Sequence, residues 1–165
     1  MTQPWATLVA LGANVIETRD WPTKYRGPFA IHSAKGFPRE ARALCRQQPF
    51  RDALAAGGYN SAEDLPLGAV VALVNLDSLL VCGPETLREI RARSKRGELP
   101  LHEADFGDFS DGRFGFVLNE VHRVEPPVPA RGMLGFWTLP PDVEAVIRKR
   151  PTVTVTRVRG QLSGN

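Results

Sequence analysis

Residues 68–82, GAVVALVNLDSLLVC, constrain the fold of this chain more than any other stretch. Apolar residues, many of them β-branched, fill most of its positions, and Gly68 and Gly83-Pro84 bracket it with turn formers. A membrane helix needs roughly 20 consecutive apolar residues, and Asn75, Asp77 and Ser78 break this run well short of that. It therefore predicts a long buried strand, or a pair of strands, on which the rest of the chain packs. Asp77 is its only formal charge. Because an isolated buried carboxylate is costly, Asp77 is expected either to pair with an arginine of a cleft or to act as an acid in a site.

The neighbouring segments alternate without βαβ regularity. Pro4 and Gly12 bound a short amphipathic helix in which Trp5, Leu8 and Val9 recur at helical spacing. Gly27-Pro28 leads into a strand ending at Ser33, and the intervening Asp20-Trp21-Pro22-Thr23-Lys24-Tyr25-Arg26 is a rigid, aromatic and basic loop. Helices are predicted over residues 39–48, 50–56, 85–96 and 141–150, each bounded by proline or glycine. Further strands are predicted over residues 113–124, 132–139 and 152–159, with Pro126-Pro127-Val128-Pro129 as a stiff connector. More strands than helices, irregularly ordered, favour an α+β fold, a small mixed barrel with helices around its rim, over a doubly wound sheet.

A chain of 165 residues, 42% hydrophobic and 24% charged, is expected to form one domain spanning residues 1–165. At this size roughly 70% of the unfolded surface can be buried without staples. The two cysteines, Cys45 and Cys82, form no C-x-x-C pair and are expected as small buried residues in a reducing cytoplasm. The N-terminus lacks a basic leader followed by an apolar block, so neither secretion nor membrane association is expected. The three histidines, His32, His102 and His122, have no metal-ligand spacing, and neither a metal nor a cofactor is expected. Walker, dinucleotide and nucleophile-elbow motifs are absent from the sequence.

The net charge of +3 is unevenly distributed. Arg88, Arg91, Arg93, Lys95 and Arg96 cluster within nine residues, an acidic stretch of Glu98, Glu103, Asp105, Asp108 and Asp111 follows, and residues 148–165 form a basic C-terminal segment. Each run reads as a solvated face or tail, and the basic ones alternatively as phosphate contacts whose affinity would depend on salt.

Glu17 and Arg19 stand two apart before the aromatic loop, so on a strand they share a face. They form either a structural ion pair or a polar wall of a cleft. As a wall, the guanidinium would donate to a carbonyl or phosphate and the carboxylate would accept from an exocyclic amine. Trp21 and Tyr25 are candidate stacking surfaces beside them, whereas Trp5 and Trp137 suit the core. His32 is either a hydrogen-bonded strand histidine or a donor to a ligand.

Gly12-x-Asn14-x-x-Glu17-x-Arg19, followed by Trp21-Pro22-Thr23-Lys24-Tyr25-Arg26-Gly27-Pro28 and Ile31-His32, resembles the ASCH domain of the PUA-like superfamily, whose signature is G-x-K-x-x-E-x-R. Gly112-Arg113-Phe114, Val117-Leu118, Val124 with residues 126–132, and Gly135-Phe136-Trp137-Thr138-Leu139 extend the likeness in separate blocks to residue 139. The resemblance implies a PUA-like barrel of about six strands with peripheral helices and a cleft beside the signature loop. The partners it implies are RNA, single-stranded nucleic acid or a modified nucleotide. Some bacterial members of the family carry nucleoside amidohydrolase or ribonuclease activity.

This chain departs from the signature at Asn14, which stands where the family has lysine. In the amidohydrolase branch that lysine takes part in catalysis, alongside a threonine where this chain has Glu17. An amide cannot titrate near neutral pH, although it can still read a base edge. Lys24 is either an exposed turn lysine or a cation of the same cleft.

Two readings follow, together with a plain interaction module. The first is a nucleotide- or base-binding module with Asn14, Glu17, Arg19, Trp21, Lys24, Tyr25, Arg26, His32 and Asp77 around the ligand and residues 88–96 on the phosphate backbone. The second is a hydrolase of RNA or of a nucleoside amide, with Glu17 or Lys24 as acid or base and Arg19 stabilising negative charge. The missing ammonium favours binding.

Overall fold

The apolar run forms one uninterrupted strand. In the computed structural model, which describes residues 1–156, the chain forms α1 (Trp5–Ala10), β1 (Ile16–Arg19), β2 (Gly27–Ser33), α2 (Arg39–Leu44), α3 (Phe50–Ala56), a 3-10 turn at Ala62–Asp64 and β3 (Ala69–Val81). It continues through α4 (Pro84–Lys95), α5 (Glu103–Phe106), β4 (Phe114–Pro129), α6 (Pro141–Lys149) and β5 (Thr152–Thr156). Arg157 and Arg159, at the end of the predicted last strand, and the rest of the basic C-terminal segment lie outside the described residues.

The architecture is α+β, with a five-stranded antiparallel sheet in the order β1-β4-β3-β2 and β5 beside β4. β3 pairs along one edge of β4, leaving the other to β1 at residues 114–117 and to β5 at residues 121–124. β1 and β2, at the two ends of the order, have no ladder between them among the described residues, so the sheet is not closed into the predicted barrel.

Two predicted elements change character. The stiff proline connector lies within β4. Between the pairs Ala72↔Arg123 and Val70↔Val128, β3 has Val71 while β4 has residues 124–127. Pro126 and Pro127, which have no N–H to donate, occupy this bulge where the ladder requires none. The strand predicted over residues 132–139 is irregular instead. Its apolar residues are not half-buried in alternation: Met133 and Leu134 are 67% and 99% exposed, while Phe136 and Trp137 turn toward aromatic neighbours.

The core divides along the pleat of β4. Phe116 and Leu118 pack with Ala6, Val9 and Ala10 of α1 and with Val74 and Leu76 of β3. Val117, between them, points to the other face and packs with Ile90 of α4, Leu80 and Ile16. A third cluster joins α1 to α3 and α5 through Leu8, Phe50, Leu54 and Phe106, and a fourth seats Ile147 of α6 on Val70, Val124 and Val128. Cys45 and Cys82 are buried free thiols. No helix among the described residues is long and apolar enough to cross a membrane.

Leu76 is fully buried at the centre of the main cluster. Leu76→Ala is expected to lower the unfolding free energy by about 2–5 kcal/mol, read as a lower urea midpoint at unchanged m-value. Val81→Ala, at a position 61% exposed, should shift it by no more than about 0.5 kcal/mol.

Candidate functional site

The start of β1 is held from below by a buried acid. Gly12 adopts φ 69°, a conformation glycine takes without strain, and ends α1 with its N–H on Val9 O at 2.9 Å. The chain then passes over α5, where the buried Glu103 carboxyl accepts the N–H of Val15 at 2.9 Å and of Ile16 at 2.7 Å. The Asn14 amide, its orientation assigned from the groups around it, donates to Glu103 Oε1 at 2.8 Å and to Ile16 O at 3.2 Å. Burial pushes the Glu103 carboxyl up to about 8, and the Val15 and Ile16 N–H groups pull against that rise.

With β1 so fixed, the two-residue period turns Glu17 and Arg19 to the side of their cross-strand partners Phe116 and Phe114. They line a cleft of about 1650 Å³ together with residues 28–32 of β2, Phe116 and Leu118 of β4, and residues 129–139. The two strands at opposite ends of the sheet order thus face one cavity. Arg19 Nη2 lies 3.0 Å from Glu17 Oε1, the Glu17 side chain being 13% exposed and the Arg19 side chain 35%. Burial raises the Glu17 carboxyl, and the Arg19 guanidinium draws it back down.

Aromatic rings form the apolar part of this cleft. Trp21 meets Phe116 edge-on at 5.2 Å and Phe136 at 5.8 Å. Phe136 also contacts Tyr25 at 5.3 Å and Phe29 at 5.4 Å. His32 lines the wall, its Nε2 3.0 Å from Ala130 O and its ring 5.8 Å from Trp137. Trp137, expected in the core, is therefore half-buried in the cleft wall beside His32. Trp5 packs against Phe50 and donates its indole N–H to Phe106 O at 2.6 Å, well away from the cleft.

Of the residues proposed from sequence, Glu17, Arg19, Trp21, Tyr25 and His32 come together in the cleft, and the others do not. Asn14 is buried against Glu103 and reads no ligand edge. Lys24 is exposed, and Arg26 folds its guanidinium onto its own loop, Nη1 donating to Thr23 O at 3.1 Å and to Tyr25 O at 2.6 Å. Asp77 is exposed rather than buried, because the register shifts between Leu76↔Leu118 and Ser78↔Val117 and leaves it as the extra residue of a bulge. Its carboxylate accepts from Asn119 Nδ2 at 3.1 Å.

The basic run of residues 88–96 also lies elsewhere. α4 packs through Ile90 on the Val117 side of the sheet, opposite the Phe116 side that lines the cleft. Arg93 is buried, with Nε 3.1 Å from Glu98, and so is not available to an external phosphate. Arg88 pairs with Glu85, and Arg96 with Glu98 and Glu89; Arg91 and Lys95 are exposed. Lys35 and Arg131, two exposed cations that nothing in their sequence context singles out, reach the cleft instead. Phe29, Phe116 and Phe136 read as ordinary strand residues, because only folding brings them to one place. No known protein-family model matches the sequence. Among the described residues, no group of three or more histidines, cysteines or acids could hold a metal ion.

Glu103 generates a pH-dependent stability. Its folded value lies above the ordinary 4.5, so between the two values the folded protein keeps a proton that the unfolded chain has released. The resulting stabilisation is complete below about pH 4.5 and is lost as pH rises through about 8. Glu103→Ala, which leaves the buried Val15 and Ile16 N–H groups without their side-chain acceptor, is expected to destabilise by about 1–3 kcal/mol. Urea midpoints at pH 5, 6.5 and 8 should show the gap between wild type and variant narrowing as pH rises.

Proposed function

We propose that the cleft binds a nucleobase, presented by RNA, by single-stranded nucleic acid or as a modified nucleotide. The observation that carries this reading is the Glu17–Arg19 pair set among the rings of Trp21, Tyr25, Phe29, Phe116 and Phe136. A base has the matching character: two flat π faces for the rings, and an edge on which a donor lies beside an acceptor. Arg19 donates to the edge carbonyl or ring nitrogen, and Glu17 accepts from the amine. Lys35 and Arg131 on the rim take the phosphate contacts that the sequence assigned to residues 88–96.

The resemblance of residues 12–32 to the ASCH signature agrees with this reading, and a PUA-like barrel is the finer architecture that goes with it. Supporting that architecture, β1 and β2 face the same cleft across a seam bridged by residues 20–26. The hydrolytic alternative is less well supported, because neither Asn14 nor Lys24 brings an amide or ammonium into the cleft and Glu17 would have to act beside its own counter-ion.

Titration of short single-stranded RNA and DNA at several salt concentrations tests the assignment of roles. Lys35→Ala and Arg131→Ala should each reduce the log–log salt slope by about 0.7–1 and weaken all sequences alike. Arg91→Ala should leave the slope unchanged, and Arg19→Ala should alter base preference. Affinity insensitive to salt in wild type, or an unaltered preference in Arg19→Ala, would count against the proposal. Product formation that Glu17→Gln abolishes would move the protein to the hydrolase class.

A further inference from the structure

Phe136 stands out among the cleft residues for the number of rings that it meets from outside any helix or strand. The residue is 44% exposed, yet its ring meets four other aromatic rings. Its plane lies 13° from that of Phe116 with the centroids 6.4 Å apart, while Trp21 stands perpendicular to both, at 87° and 86°. Two parallel faces joined by a perpendicular wall have the shape of a slot for one flat ring. Carbon atoms in contact lie about 3.5–4.0 Å apart, so a ring held between two others needs about 7–8 Å. The centroid distance of 6.4 Å, an upper limit on the spacing of the two faces, falls short of that.

The segment that carries Phe136 can supply the difference. Among the described residues, no backbone hydrogen bond holds residues 131–139, in contrast to Ala130, whose N–H is fixed on Gly68 O at 2.9 Å. Gly132 seats the base of the segment on His32, where any side chain would collide with the imidazole. Gly135, at φ 69°, immediately precedes Phe136, and the exposed Met133 and Leu134 between the two glycines anchor nothing. Trp137 on His32 and Leu139 on the Val70–Val124–Val128–Ile147 cluster hold the far end, so the stretch between the two glycines and Phe136, without backbone hydrogen bonds among the described residues, is the part that opens at lowest free-energy cost.

We infer that residues 131–139 form a hinged strap whose Phe136 stacks on the outer face of a single nucleobase, sandwiching it against Phe116 with its edge toward Glu17 and Arg19. This inference rests on the nucleobase reading and adds to it the position of the base and the residue that closes over it. With the strap down Phe136 lies toward Phe116, and a base enters as the strap lifts. Because every base presents a π face, Phe136 contributes affinity without selecting among bases, a role different from that of Arg19.

The test uses the full chain, the four ribonucleoside 5′-monophosphates, and ribose 5-phosphate as the ligand without a base, followed by calorimetry or by tryptophan fluorescence. Wild type is expected to bind the nucleotides and not ribose 5-phosphate. Phe136→Leu keeps an apolar side chain in the cage but has no flat face, and should weaken all four nucleotides by about 5- to 150-fold. Phe136→Tyr should stay within about threefold of wild type and should also show that the cage itself is intact. If Phe136→Leu binds like wild type while Arg19→Ala does not, the sandwich is wrong and the nucleobase reading survives. Phe136→Leu losing affinity for only one base would also overturn the strap's non-selective role. If wild type binds ribose 5-phosphate as tightly as the nucleotides, or binds none of them, the nucleobase reading and the sandwich fall together.

Discussion

The β3–β4 ladder cannot run straight, because at three places one strand carries residues for which the other has no partner. Each bulge adds local twist and bends the strand that contains it. One accommodates Pro126 and Pro127, one holds Glu120 at φ 49°, and one turns Asp77 out to water. An accumulated bend of this kind accounts for β1 and β2, at opposite ends of the sheet order, lining a common cavity instead of lying three strand spacings apart on a flat surface. The cleft thus follows from irregularities in the longest pairing of the fold, and the apolar run that builds the core also shapes the site.

A second constraint acts at right angles to the sheet. β1 is only four residues long and would be a weak edge strand by its ladder alone. Glu103 compensates by gathering the N–H groups of Val15 and Ile16 and the Asn14 amide onto one buried carboxyl. Burying that acid is costly, and the rise in its pKa expresses the cost. Fixing the first residues of β1 also fixes which of its side chains face the cleft, since a slip of one residue would exchange Glu17 for Thr18. Thr18 is itself held on the opposite side, its hydroxyl accepting the Asp108 N–H at 3.1 Å.

Within the cleft, charge and aromatic surface are separated but adjacent. Glu17 and Arg19 partly neutralise each other, which makes it less costly to keep both in a half-buried position. The rings beside them exclude water from one side of the pair, so a polar ligand group that replaces one of these contacts forms its bonds in a medium of lower dielectric than bulk solvent. Basic residues on the far side of the sheet do not contribute at this range. Three of the five cations of residues 88–96, namely Arg88, Arg93 and Arg96, are already engaged with Glu85, Glu89 and Glu98.

Local rules were sufficient wherever neighbouring residues decide the outcome. The helix between Pro4 and Gly12, the strand opened by Gly27-Pro28, the apolar β3 and the shared face of Glu17 and Arg19 all depend on spacings of a few residues, and all are legible in the sequence. Long-range pairing decided the rest. Asp77 lies within an apolar run, but its exposure depends on the register against β4; Arg93 belongs to a basic cluster, but its burial depends on Glu98 and on the face that α4 presents to the sheet. Glu103 reads as one more acid of a charged stretch, and only its approach to the start of β1 makes it a clamp. Residues 132–139 have a strand's composition but pair with no strand among the described residues, and their aromatic side chains close the cleft instead of extending the sheet. Periodicity along a chain specifies which side chains share a face, whereas the identity of what that face meets is a property of contacts between residues distant in sequence.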